Sequence, residues 1–183
     1  SAPAQRLGTA CLAGRGEARV CAQGRRDGAA LDAQLDLTDL PLALAQPWLG
    51  AGTALSGALG GQVVLRTQAP APQARVRLRG TPGEYRATPP GSDALTVPFG
   101  AWTVQADCDS DACSAAARIQ AAHATGAAAL LDVHARGPAL DALSRPDAPV
   151  AARADIRGLQ LAPLGALSVE AANLAGTLEA DGR

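Results

Sequence analysis

The 183 residues carry 16 Lys+Arg against 17 Asp+Glu, a formal net charge of -1 with no basic block, which sets nucleic-acid binding aside. Hydrophobic residues make up 48% but aromatic residues only 2%, so any interior must be built from Leu, Val and Ala. Every basic residue is Arg, Met is absent, and Ile occurs only at Ile119 and Ile156. That bias is what GC-rich coding supplies, so the abundance of Ala is no argument for helix. The lack of Met reads as a mature or excised piece of a longer chain. No apolar run approaches the ~20 residues of a membrane-spanning helix and no signal peptide is present, so the expectation is that any anchor lies outside this segment.

In chain order, residues Ala10 to Ala22 read as a hairpin turning through Gly14-Arg15-Gly16-Glu17, which centres the turn on Gly16 and sets Cys11 opposite Cys21. Leu31 to Leu37 alternates apolar and polar residues as a half-buried strand does. Leu40 to Leu49 breaks that period and is expected to form a short helix, with Asp39 as its cap and Pro41 in its first turn. Leu59 to Thr67 and Ala74 to Arg79 return to alternation; in the second, every apolar residue is followed by Arg. Further strands are expected at Leu95 to Val97, Ala101 to Ala106, Ala117 to His123, Ala129 to Ala135, Val150 to Arg157 and Leu174 to Ala180, with a second helical turn at Leu161 to Leu167. The Pro-rich stretches at 69 to 73 and 89 to 90 read as loops or as protection of a strand edge. Strands that alternate in this way pair antiparallel and bury one face, so the fold class is all-β with one or two short helical turns.

Sliding the chain by 119 residues lays Asp36-Leu37, Leu40 and Leu42 on Asp155-Ile156, Leu159 and Leu161, and Leu55 to Leu59 on Leu174 to Leu178. A weak internal repeat of about 31-65 and 150-183 follows, within one segment spanning 1-183.

The four cysteines form two close pairs, Cys11 with Cys21 and Cys108 with Cys113. Two local disulfides in an oxidising compartment are the simplest reading, with free thiols as the alternative. Zinc is the other alternative at the second pair, because four residues separate Cys108 from Cys113 and His123 and His134 follow. The histidines lie eleven residues apart, too far for the usual finger spacing, so the expectation is no metal and no cofactor. Asp107, Asp109 and Asp111 alternate like a calcium loop, but Ala112 and Arg118 stand where Gly and Glu are required. Ser56 and Ser92 lack a nucleophile elbow, and the absence of Lys removes P-loop and Schiff-base chemistry. The chain is expected not to be an enzyme. Trp102 reads as core filler before it reads as a ligand contact.

Ala10-Cys11-Leu12 with Ala18-Arg19-Val20-Cys21, then Leu40-Pro41-Leu42-Ala43-Leu44 and Leu55-Ser56-Gly57-Ala58-Leu59, resemble the C-terminal half of the TamB family of translocation and assembly module subunits. Ala154 to Leu159 and Leu174 to Leu178 resemble its next unit. The resemblance implies an elongated, tapered, folded-over antiparallel sheet, the β-taco, with an apolar concave interior. It also implies a periplasmic location within an inner-membrane-anchored protein, an outer-membrane barrel partner, TamA, and work in autotransporter assembly, phospholipid transport, or both. The guest expected is phospholipid acyl chains or the β-strands of an outer-membrane protein. From alternation, the residues expected to line the groove are Leu35, Leu37, Val63, Leu65, Val76, Leu78, Val97, Val104, Leu131, Val133, Ala152, Ala154 and Ile156. A structural β-solenoid or adhesin-like spacer with a filled core competes with this reading, since alternation serves both.

Overall fold

The computed structural model describes residues 5–67, 72–88, 94–122, 129–139, 149–160 and 177–182. Twelve strands form one antiparallel sheet: β1 Gln5–Ala13, β2 Arg19–Asp27, β3 Ala30–Pro41, β4 Thr53–Leu55, β5 Ala58–Arg66, β6 Gln73–Gly80, β7 Gly83–Ala87, β8 Leu95–Cys108, β9 Ala112–Ala121, β10 Ala129–Pro138, β11 Ala151–Gln160 and β12 Thr177–Gly182. The order β1-β2-β3-β5-β6-β8-β9-β10-β11-β12 follows the chain, with β4 and β7 set to one side, β7 bridging β4 to β8. The sheet is folded and does not close into a barrel, as expected of the all-β fold.

The hairpin of β1 and β2 places Cys11 opposite Cys21, with Gly16 at φ 67 in its turn. A positive φ there is what a tight turn needs and what Gly adopts without cost.

One line of irregularity crosses the sheet. Leu40, Leu59, Gly80, Trp102, Ile119, Leu131 and Ile156 are successive register partners. Within one residue row of them the pairings slip between Leu37 and Leu40, Phe99 and Trp102, Ala129 and Leu131, and Ile156 and Leu159. On the same line β4 gives way to β5 at Ser56-Gly57, and β6 to β7 at Thr81-Pro82. Each extra residue bends its own strand and sharpens its twist. Stacked in neighbouring strands, they crease the whole sheet. Small or breaking residues mark the crease: Gly57, Gly61, Pro82, Gly83 and Gly100. A Cβ on Gly61 would run into the Arg77 carbonyl and one on Gly83 into that of Ser56.

Several expectations are corrected. Asp39 does not cap the helix: it lies within β3 at φ 44, and the 3-10 helix Leu42–Trp48 starts two residues later than expected, with Pro41 at its N-cap and no side-chain cap bond. Leu95 to Val97 and Ala101 to Ala106 are one strand, β8, because the bulge at Gly100-Ala101 bends the strand without ending it. β9 begins at Ala112, well ahead of Ala117, since the Cys108, Cys113 turn extends the ladder to its base. The second helical turn at Leu161 to Leu167 lies outside the described residues, as do His123, residues 69–71 and the loop prolines 89 and 90.

Candidate functional site

Register assigns every side chain to one of two faces, because directly opposed residues share a face and neighbours along a strand alternate. One cross-strand row reads Ala22, Leu35, Val63, Val76, Ala106, Ala115, Ala135 and Ala152. The next reads Val20, Leu37, Gly61, Leu78, Val104, Ala117, Val133 and Ala154, and the crease row itself runs from Leu40 to Ile156. Leu65 belongs to the row before these, opposite Ala33 and Ala74. Val97 lies beyond the bulge, opposite Tyr85, in step with Phe99 on the same face.

Twelve of the thirteen residues expected to line a groove therefore fall on one face. Leu35, Leu37, Val63, Leu65, Val76, Leu78, Val97, Val104, Leu131, Val133 and Ala154 are half-buried and Ala152 is exposed. For Ile156 only the backbone is described. Register adds partners that isolated strands could not reveal, among them Ala22, Ala33, Trp102, Ile119, Cys108 and Cys113. Ala there is too common in this chain to signal burial, and only its pairing with Leu and Val assigns it a face.

The opposite face takes the charge. Asp107 accepts from Arg75 Nε at 3.1 Å and Arg77 Nη2 at 2.6 Å, and Asp132 lies 2.5 Å from Arg118 and 3.0 Å from His134. Gln34 and Gln62 both donate to Asp36, at 2.8 and 2.7 Å. The hydrogen bond from Arg77 holds the Asp107 carboxyl below its ordinary value, with a smaller contribution from Arg75 that partial desolvation opposes. Asp109 is lowered by the backbone N–H groups of Ala112 and Asp111. Charged rows paired with one another keep ions off the apolar face.

Few side chains are covered. Among the described residues, Ala18, Ala87, Leu95 and Cys113 are the buried hydrophobic ones, and none is under 2% exposed. A filled two-layer interior would bury whole rows of Leu and Val at close-packed density. Between β2, β3 and β5 lies a concavity of about 480 Å³ whose lining combines Ala22, Leu31, Ala33, Leu35, Val63 and Leu65 with the polar Gln5, Gln23, Arg25, Arg26 and Gln34. Sites for small apolar ligands have volumes in this range.

Both cysteine pairs are bridged, with Cα atoms 4.1 Å apart at Cys11–Cys21 and 4.0 Å at Cys108–Cys113. Bridged sulfurs are not zinc ligands. His134 pairs with Asp132, His123 lies outside the described residues, and among the described residues no group of three or more His, Cys, Asp or Glu is placed to hold a metal. No helix of the described residues is long and apolar enough to cross a membrane.

Residues 4–183 match the family model described as TamB, N-terminal domain. The match covers the chain almost end to end, and it is to the N-terminal domain rather than to the C-terminal half that the sequence resemblance suggested. Searches of curated proteins and of solved structures returned no match.

Proposed function

The chain belongs to the TamB family, and on that premise we propose that it is a non-enzymatic, groove-forming segment of the periplasm that shields an apolar guest during outer-membrane assembly or phospholipid transport. The observation that carries this reading is the segregation of faces: twelve apolar side chains on one side, half-buried or exposed and none fully covered, and the ion pairs on the other. An extended apolar face exposed to water is unfavourable at ~25 cal/mol per Å², so it calls for a guest. The sparse burial argues against the spacer with a filled core. Two disulfides suit an oxidising compartment. The TamA barrel as partner and an anchor in the inner membrane follow from the family and belong to the same proposal.

Native mass spectrometry of the purified, non-reduced chain, with lipid extraction, tests the reading. Co-purifying phospholipid on a chain four hydrogens lighter than its reduced mass is the expected result. A lipid-free chain that captures outer-membrane β-strand peptides would make the guest polypeptide. A chain that retains neither would overturn the carrier and leave the spacer.

A further inference from the structure

From Leu40 through Leu65 the chain carries no charged residue, although charged residues make up 18% of the whole. Only part of this run serves the apolar face: Leu40, Leu59, Val63 and Leu65 lie in its rows. Another part builds the 3-10 helix Leu42–Trp48, which buries none of its residues. Trp48 is 83% exposed, the most of any large apolar side chain described, and Leu44, on the same helix, is 60% exposed.

These exposed residues sit on a braced platform. The Leu42 N–H donates to Gly57 O at 2.9 Å, and the Leu49 N–H to Gln46 O at 3.1 Å. The hydroxyl of Thr53 lies 2.7 Å from the carbonyls of both Leu49 and Gly50, and the Gln46 amide donates to the Thr53 carbonyl. Pro41 and Pro47 fix φ at the two ends of the helix. The tip joins β3 to β4 beyond the crease, at the strand-end rim of the apolar face, where Leu42 packs against Gly57.

The chemistry of the tip selects its partner. Without charge it has no electrostatic means of recognising a charged surface. Its two exposed side chains offer about 300 Å² between them, whereas a stable protein interface takes about 800 Å² from each partner. An exposed indole and an exposed leucine on one uncharged helix match the water-hydrocarbon boundary of a bilayer, where Trp places its apolar body in the acyl region and its N–H among headgroups. We propose that the 3-10 helix is a membrane-docking tip that seats on a zwitterionic lipid surface through Leu44 and Trp48. This goes beyond the groove reading and holds whichever guest the groove carries.

Large vesicles of phosphatidylcholine, with and without brominated acyl chains, and the 183-residue chain test it directly. Trp emission should shift to the blue and be quenched by the brominated lipid. Partitioning of Leu44→Ser/Trp48→Ser should fall at least tenfold, while raising NaCl from 0.05 to 0.5 M should change it less than twofold. Because the tip buries no side chain, the variant should keep both disulfides and its β signal; the same quenching in Trp102→Phe, where Trp48 is the one remaining indole, assigns the signal to the tip and not to the guest-holding face. Absence of vesicle binding overturns the proposal. So does binding that survives the double substitution or collapses with salt, which would assign it to the arginine face. A dimer that shields Trp48 from an aqueous quencher would make a second copy the occupant and also overturn it.

Discussion

The indole of Trp102 lies across Gly80, its register partner on β6, so closely that a Cβ at residue 80 would overlap the ring at Cε2 and Nε1. The large ring fills space a side chain on β6 would otherwise take, and Gly80 is the residue that admits it. Trp102 is half-buried, so it serves as core filler only against its own sheet. Gly80→Ala should cost about 1–3 kcal/mol, the usual cost of overpacking, read from urea unfolding of the oxidised chain. In Gly80→Ala/Trp102→Ala the clash is gone, so the double variant should lose less than the sum of the singles. Additive losses would mean that the two residues do not share this space.

Leu78 stands between Gly61 and Val104 in a central row of the apolar face. Leu78→Ala trims contact area and should weaken guest retention by about 1 kcal/mol. Leu78→Asp must in addition desolvate a carboxylate with no partner row on that face, and should weaken retention by a further 2 kcal/mol or so. Guest retained per chain, counted by native mass spectrometry, separates the two. Equal effects of Ala and Asp would count against an occupied groove.

Asp107 titrates below its ordinary value of 3.8 because Arg77, and less strongly Arg75, bonds its charged form. A depressed carboxyl contributes stability that is complete above its unfolded value and is lost as pH falls through the folded one. The loss therefore belongs below about pH 4. Asp107 is 47% exposed, so solvent screening limits the effect to about 1 kcal/mol or less. Asp107→Asn should lower stability slightly at pH 7 and flatten the acid limb of a pH-stability curve. An acid limb of unchanged slope would show that the pairing does not persist in solution.

The two disulfides differ in access. Cys11 is exposed on the edge strand β1, whereas Cys113 is 7% exposed and turned toward the apolar face. Exchange requires a thiolate to reach a sulfur, so limiting dithiothreitol should open Cys11–Cys21 first. Alkylation with peptide mapping reads the order. Each bridge closes a short loop, of sequence separation 10 and 5, and removing either should cost about 2–3 kcal/mol. Labelling of Cys108 and Cys113 ahead of Cys11 would contradict the burial of the second bridge.

Alternation along each strand was sufficient to assign faces, and the spacing of Cys11 and Cys21 about Gly16 was sufficient to set one register. Crossing the crease was harder. β4 and β7 are three and five residues long, too short for a period to show, and β7 is flanked by Pro82 and Pro89, which read as breakers. The bulge in β8 resembles a gap because Gly100 interrupts the apolar pattern, and Asp39 resembles a cap because Asp before Leu-Pro usually is one. At Asp39 and at Gly100 the sequence shows a local break in period, and only the pairing of neighbouring strands shows that the break is a bend.

The bulge at Asp39 also connects with the repeat. Adding 119 to Leu37, Leu40, Gly61 and Leu59 gives Ile156, Leu159, Ala180 and Leu178, and the pairs Leu37↔Gly61 and Leu40↔Leu59 recur as Ile156↔Ala180 and Leu159↔Leu178. Both pairs of strands thus slip at the same place. The residue equivalent to Asp39 is Gly158, and among the described residues Asp39 is the non-Gly one with positive φ, at 44. A side chain in that region costs about 1–2 kcal/mol, which Gly avoids. Asp39→Gly should accordingly leave stability unchanged or raise it by up to about 1 kcal/mol, while the β-branched Asp39→Val should lower it by about 2 kcal/mol. Denaturant midpoints at pH 7 with both disulfides intact give the comparison. If Val is tolerated as well as Gly, the left-handed residue is not what holds the bulge, and the coincidence of the two registers has another cause.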